Sequence, residues 1–309
     1  MTRFQKITGA VAGAAILLAL TGCVFTGPAP TTVPPTTTTP PTTPPTTAAP
    51  TTVPPTTVPP TTAPRIGWVE EDGKRYYYDD NSVMLTGWLC VDENWYYMKD
   101  DGSMAVGKTD VDGETLYFGS DGLQILLVNP WNFLPEDYDP EIVDVEGWWW
   151  KSNAICYPAL QEMLQACRDA GLTPYIASAY RTHADQIYLH NNKIQRLINE
   201  GYSEAEAREL AGTVVAVPGT SEHELGLAFD LVDDSYRNLD EAQENTAVQK
   251  WLMENSWKYG FILRYPNDKS EITGIIYEPW HYRYVGKHEA QKIYESGLCL
   301  EEYLESLGN

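Results

Sequence analysis

The run Ser221-Glu-His-Glu-Leu-Gly-Leu-Ala-Phe-Asp230 sets a histidine seven residues before an aspartate that lies in an apolar stretch. Leu225, Leu227, Phe229 and Leu231 alternate with smaller or polar positions, the period of a half-buried strand. An ionised carboxylate in such a strand is costly to desolvate unless a partner or a metal compensates it. His223 is a natural co-ligand. Further on, Glu278-Pro-Trp-His281 offers a second histidine and a second acid.

Zinc in a hydrolase takes three protein ligands from histidine and carboxylate and keeps a position open for water. His223, Asp230 and His281 supply that set, for one Zn2+ per chain. Pro279 restricts Glu278 to extended conformations, so Glu278 and His281 are not a helical pair. One of the two can ligate while the other faces the attacking water, which gives a ligand and a general base. Taken alone, a buried histidine is more often a satisfied core residue, and a strand aspartate often pairs with arginine. The joint pattern is what points to a metal. His183 and His190 share a helix face without an accompanying carboxylate pattern and read as solvated, with the cleft rim as the other reading for His183. His288 reads as a surface residue, and Glu222 and Glu224 as exposed loop charges.

These groups need elements to hold them. A helix is expected from about Pro158 to Ala170, stopped by Gly171, then a strand from Thr173 to Ala179 and a helix from His183 to Asn199. Ser203 with Glu206 forms a capping box for another helix. Asn245 is expected to cap a helix through Tyr259, with Gly260 as its stop. Further strands are expected at Leu225–Val232, Phe261–Tyr265 and Ile275–Tyr277, and a last helix near Lys287. Short strands and helices mixed without regular alternation indicate an α+β domain over residues 125–309. Trp148-Trp149-Trp150 reads as packing against the helix at Pro158, or as the lining of a groove.

The 309-residue chain carries 43 acidic and 21 basic residues. Residues 1–22 hold Arg3 and Lys6, then an apolar core from Ala10 to Leu20, and end at Leu20-Thr-Gly-Cys23, a secretory leader with a lipobox. Lipidation of Cys23 would tether the mature chain to a membrane. Loss of Arg3 and Lys6 with the leader leaves a net charge of −24. Such a surface repels nucleic acid, and no nucleic-acid partner is expected. Residues 23–66 are almost all Thr and Pro in their central part, an extended spacer that at ~3.1 Å per residue spans on the order of 100 Å. Cys156 and Cys167 bracket a helix, roughly 16 Å apart and too far to bridge. With no CxxC spacing, the cysteines after Cys23 read mostly as buried thiols, with a Cys90–Cys299 bridge as the alternative. No heptads are visible, and a monomer is expected.

Residues 67–124 contain a repeat. Gly67-Trp68, Gly87-Trp88 and Gly107-Lys108 recur every 20 residues, and Tyr76-Tyr77, Tyr96-Tyr97 and Leu116-Tyr117 fall at matching offsets. Asn81-Ser82, Asp101-Gly102 and Asp121-Gly122 share a turn slot. Each unit reads as a β-hairpin whose aromatic face must stack on its neighbour. The repeat resembles the aromatic cell-wall-binding repeats of choline-binding-type surface proteins, in which aromatic walls cage a quaternary ammonium. Lys108 replaces the tryptophan in the third unit. A wall-polymer ligand for residues 67–124 and a ligand-free stacking spacer both remain open.

Ser221-x-His223-x-x-Gly226-x-Ala228-x-Asp230 followed by Glu278-x-Trp280-His281 resembles the VanY-like zinc D-alanyl-D-alanine carboxypeptidases. Ser178-Ala-Tyr180-Arg181 with Gln186, and Asn129-Pro-Trp-Asn-Phe-Leu134, extend the resemblance over roughly residues 127–300. It implies a small antiparallel sheet with flanking helices, of the hedgehog/D-Ala-D-Ala-peptidase type. It implies that His223, Asp230 and His281 hold zinc and that Glu278 moves a proton from water to the leaving amine. Arg181, a fixed cation with a fork of donors, would stabilise the oxyanion. Ser221, Gln186 and Tyr180 would contact substrate. The implied activity is removal of the terminal D-Ala from peptidoglycan stem peptides by an envelope protein held to the cell membrane. An L,D-carboxypeptidase or endopeptidase on the same scaffold, and a non-catalytic wall-binding protein, are the alternatives.

Overall fold

The computed structural model describes residues 64–92, 94–135 and 138–307. The leader, Cys23 and nearly all of the Thr/Pro segment lie outside the described residues. The described residues fall into two compact units that divide between residues 105 and 106.

The first unit contains two hairpins, β1 (Gly67–Glu71) with β2 (Lys74–Tyr78) and β3 (Gly87–Val91) with β4 (Asn94–Met98). At the first turn Asp72 and Gly73 have φ of 51° and 73°. Positive φ at both positions gives a turn whose twist matches the strands, and this is why Asp-Gly stands there. In the register Trp68 faces Tyr77 and Trp88 faces Tyr97. The hairpins stack as the sequence requires: the Met104 N–H donates to the Arg75 carbonyl at 2.7 Å. Trp68 meets Tyr77 and Tyr96 edge-on, with ring centres 5.1 and 4.9 Å away. The Arg75 guanidinium lies over the Trp68 ring, 4.2 Å from its centre.

The third hairpin, β5 (Gly107–Val111) with β6 (Glu114–Phe118), belongs to the second unit. It is followed by β7 (Ile142–Asp144), β8 (Lys151–Asn153), α1 (Tyr157–Asp169), β9 (Pro174–Ser178), α2 (His183–Asn199), α3 (Glu204–Gly212) and β10 (Ala228–Asp233). Then come α4 (Ala247–Asn255), β11 (Phe261–Leu263), α5 (Ser270–Thr273), β12 (His281–Tyr284), α6 (Lys287–Ser296) and α7 (Leu300–Ser306). The main sheet has the order β11-β12-β10-β9 with every pair antiparallel. Its inner strand β10 is buried along its whole length. Leu160, Met163 and Cys167 of α1 pack with Ile176, Phe229, Leu231, Leu252, Phe261 and Tyr282 to form the core. Each such side chain contributes about 1.5–3 kcal/mol by its burial. α7 packs on β5, so the third hairpin is tied to the end of the chain.

Local signals explain most boundaries. Pro158 opens α1. Thr182–Asp185 and Ser203–Glu206 form reciprocal capping boxes at α2 and α3. Several expectations need correction. The helix expected from Asn245 to Tyr259 is divided, because Asn245 ends a 3-10 turn and Thr246, in extended conformation, caps α4 by accepting from the Gln249 N–H. A second 3-10 turn, Ser256–Tyr259, then runs into Gly260 at φ 89°. β10 starts at Ala228 rather than Leu225, since residues 222–226 are spent on a turn. Ile275–Tyr277 is not a strand; it follows the left-handed Gly274 and makes a single backbone bond from Ile276 N–H to the Thr213 carbonyl. Helix α7 was not anticipated. Cys156, Cys167 and Cys299 are free buried thiols, so no Cys90–Cys299 bridge forms. Trp148 and Trp150 pack on the core, with the Trp150 indole N–H on the Ile176 carbonyl at 2.9 Å, while Trp149 is exposed.

Candidate metal centre

Strand register brings the chemistry together. Asp230 pairs with His281 on β12 and with Ser178 on β9, and the register slips immediately after Asp230. His223 arrives from the turn before β10, which Gly226 closes at φ 70°. A Cβ on Gly226 would stand 2.9 Å from the Asn153 backbone nitrogen, so glycine is required there.

The resulting donor set is compact. Ligand atoms of His223, Asp230 and His281 all lie within 4.8 Å of one another, and all three residues are buried. Asp230 Oδ1 is 3.3 Å from His223 Nε2 and 3.3 Å from His281 Nδ1. His223 Nδ1 is 2.8 Å from the Ala179 carbonyl, so it carries the proton and leaves Nε2 free. Asp230 Oδ1 is buried and has no hydrogen-bond donor. An orphaned carboxylate oxygen between two imidazole nitrogens fits a cation. Two histidines and a carboxylate suit zinc.

Glu278 is buried, with Oε2 at 3.5 Å from His281 Nδ1. Burial pushes its carboxyl up to about 8 in the metal-free chain, reinforced by Asp230 and opposed by His281 and Arg181. His223 is pushed down to about 4, first by burial and then by the Arg181 charge. Burial lowers His281 as well, but the facing Asp230 and Glu222 carboxylates outweigh it and raise the ring to about 9.

Arg181 braces the same carboxylate. Its Nη2 donates to Asp230 Oδ2 at 3.0 Å and to Ser178 Oγ at 2.8 Å, its Nε to Ser178 Oγ at 3.0 Å, and its Nη1 to Gln186 Oε1 at 3.3 Å. Gln186 is fully buried and also donates to the Ala216 carbonyl at 2.7 Å. A cleft of about 1030 Å³ opens over the centre, with Arg181, Ser221, His223, Asp230, Glu278 and His281 on its wall. Tyr180 and Gln186 are not on that wall, and Gln186 faces Arg181 instead.

Three charge readings are corrected. Glu222 is buried, not an exposed loop charge: its Oε1 accepts from Arg264 Nε and Arg283 Nη1, each at 2.8 Å. Glu224 is buried because its carboxylate accepts from the Gly219 N–H, at 3.0 Å for the nearer oxygen. It also meets His183 Nδ1 at 3.2 Å, and His183 remains exposed. His190 is buried rather than solvated, with Nδ1 at 2.7 Å from the Val215 carbonyl. Sequence reasoning missed Glu222, Arg264 and Glu301; only the adjacency of Glu222 to His223 hinted at a role.

An antiparallel α+β sheet with a buried His-Asp-His set, an adjoining acid and a fixed arginine, all open to one cleft, is the constellation of a mononuclear metallohydrolase. Comparison with known proteins gives the family. The family described as VanY, D-alanyl-D-alanine carboxypeptidase, matches residues 151–287, and the choline-binding repeat family matches residues 66–108. A D-alanyl-D-alanine carboxypeptidase of Enterococcus faecalis is 46% identical over 180 residues, covering 58% of this chain and 65% of that protein. The chain thus spans just under two thirds of that relative. Among solved structures, a glutamate-to-alanine mutant of the vancomycin-resistance D,D-pentapeptidase VanY in complex with Zn(II) is 46% identical with a TM-score of 0.53, covering 58% of this chain and 97% of that one. VanYB in complex with D-alanine-D-alanine is 46% identical with a TM-score of 0.54, covering 58% and 96%. The chain belongs to the VanY D-alanyl-D-alanine carboxypeptidase family.

Proposed function

We propose that this chain is a zinc-dependent D,D-carboxypeptidase that removes the terminal D-Ala from peptidoglycan stem peptides. The observation that carries the proposal is the convergence of His223, Asp230 and His281 with Glu278 and Arg181 on one cleft wall. His223 Nε2, Asp230 Oδ1 and His281 Nδ1 would hold the metal. When bound, zinc supplies Lewis acidity toward the scissile carbonyl and makes water at the site more acidic. Glu278 takes a proton from the attacking water as the new C–O bond forms. It returns that proton to the departing amine of D-Ala as the C–N bond breaks. Arg181 directs its guanidinium at the developing negative charge, held in place by Ser178 and Gln186. Ser221, on the cleft wall, is assigned to the substrate's terminal carboxylate or backbone.

The setting follows from the remaining features. Lipidation at Cys23 would hold the protein to the outer face of the cell membrane. The Thr/Pro spacer and the hairpins would carry the cleft into the wall. Glu278→Ala is the test: it is expected to keep stoichiometric zinc and to lose D-Ala release. Unchanged turnover would remove Glu278 from the mechanism.

A further inference from the structure

A buried chain of charges runs from the last helix to the metal centre. Glu301, on α7, takes Arg264 Nη1 and Nη2 on its two oxygens at 2.8 and 2.6 Å. The Asn129 side-chain amide donates to Glu301 at 3.0 Å. Arg264 donates from Nε to Glu222 Oε1, and Arg283 donates from Nη1 to that same oxygen, from Nη2 to the Leu126 carbonyl at 2.9 Å and from Nε to the Tyr284 carbonyl at 2.9 Å. Two guanidinium groups therefore clamp one oxygen of Glu222 and fix the plane of its carboxylate. The other oxygen, Oε2, is left without a hydrogen-bond donor, 3.6 Å from His281 Nε2, which is itself buried and unpartnered. Arg264 and the Glu222 side chain are fully buried.

Two cations, Arg264 and Arg283, stand against two carboxylates, Glu222 and Glu301, and Glu222 turns its free oxygen to the His281 ring. Stability alone is a poor account of such a cluster, because buried ion pairs are often replaced by packed apolar groups at no cost. Orientation of a metal ligand is a better one. A metal-bound histidine needs its second N–H fixed by an acceptor, which sets both the tautomer and the ring angle.

We propose that Glu301, Arg264 and Glu222 form a positioning relay that holds the proton of His281 on Nε2 and presents Nδ1 to the metal. Glu301 and Asn129 lie outside the family-matched residues 151–287, so the relay makes the last helix and the Asn129 turn part of the metal site. The inference rests on the reading of His223, Asp230 and His281 as the metal shell.

The test uses the full chain and zinc alone. In Glu222→Gln, the amide cannot give acceptors to both the arginines and His281. Its zinc dissociation constant, measured by chelator competition, is expected to rise about 10- to 100-fold. Glu301→Gln is expected to shift it in the same direction by less. Long-range proton–nitrogen NMR of the zinc-loaded parent is expected to place the His281 proton on Nε2, a readout that a merely structural role does not fix. Unchanged zinc affinity in Glu222→Gln, or a proton on Nδ1, overturns the relay while leaving the metal shell intact. A parent chain that binds no zinc overturns both. If Glu222→Gln fails to fold, Glu301→Gln and the parent spectrum still decide.

Discussion

Arg181→Lys separates a fork of donors from a bare charge. The arginine makes four hydrogen bonds at 2.8–3.3 Å, two to Ser178, one to Gln186 and one to Asp230. Lysine keeps the charge but, as a compact ammonium, cannot span these partners and still face a substrate carbonyl. A hydrogen bond to a charged group contributes ~1.5–3 kcal/mol, and loss of a donor that stabilises an oxyanion costs about 2.7–4 kcal/mol. kcat for D-Ala release from a pentapeptide stem should therefore fall about 10²- to 10³-fold. Because the lost interaction belongs to the transition state, kcat and kcat/KM should fall together. The assay is steady-state release of D-Ala with zinc content measured on the same samples. A lysine variant with parental kcat at full zinc occupancy would show that Arg181 does not act at the reacting carbonyl. A loss that tracked zinc loss would reduce Arg181 to a brace for Asp230.

Four other outcomes are expected. Chelation should lower the melting temperature, because Asp230 Oδ1 is then buried without a partner. Zinc at a hundredfold excess over its Kd should restore about 2.7 kcal/mol, roughly 5–11 °C for a unit of this size. Acid should loosen the third hairpin. Burial raises Glu289, but hydrogen bonds from Tyr303, His288 and Ser120 outweigh it and hold the carboxyl below the usual range. Its contribution is thus full above the unfolded value of about 4.3 and is lost as pH falls through the folded one. Hydrogen-exchange protection factors at residues 119–123, corrected for intrinsic rate, should fall between pH 5 and pH 3 and should stay constant over that range in Glu289→Gln. The Arg75 guanidinium lies over the Trp68 ring; if the repeats take a quaternary ammonium on that face, Arg75→Ala should bind choline more tightly than the parent by calorimetry, and weaker binding would refute a blocking role for Arg75.

The residues that converge as a candidate metal centre, His223, Asp230 and His281 with Glu278, were largely legible in the sequence because their signals are local. His223 and Asp230 stand on one short segment and Glu278 and His281 on another; the apolar run around Asp230 pointed to its burial, although alternation suggested a half-buried strand and β10 is buried throughout. The Ser203–Glu206 capping box and the repeat's turn slots at Asp101-Gly102 and Asp121-Gly122 were legible for the same reason. What the sequence hid is what tertiary contacts decide. Glu222 and Glu224 look like loop charges until Arg264, Arg283 and the Gly219 N–H are placed around them. Gln186 looks like a substrate contact until α2 turns it toward Arg181. The third hairpin resembles its two predecessors in sequence, yet Ser120 is held by Glu289 from α6, 169 residues away.

The most direct measurement is a muropeptide digest with zinc-free and zinc-loaded protein, resolved by liquid chromatography. The account predicts that pentapeptide stems lose one D-Ala only when zinc is present, and that tetrapeptide stems are left intact. Untouched pentapeptides beside trimmed tetrapeptides, or equal cleavage with and without zinc, would contradict it.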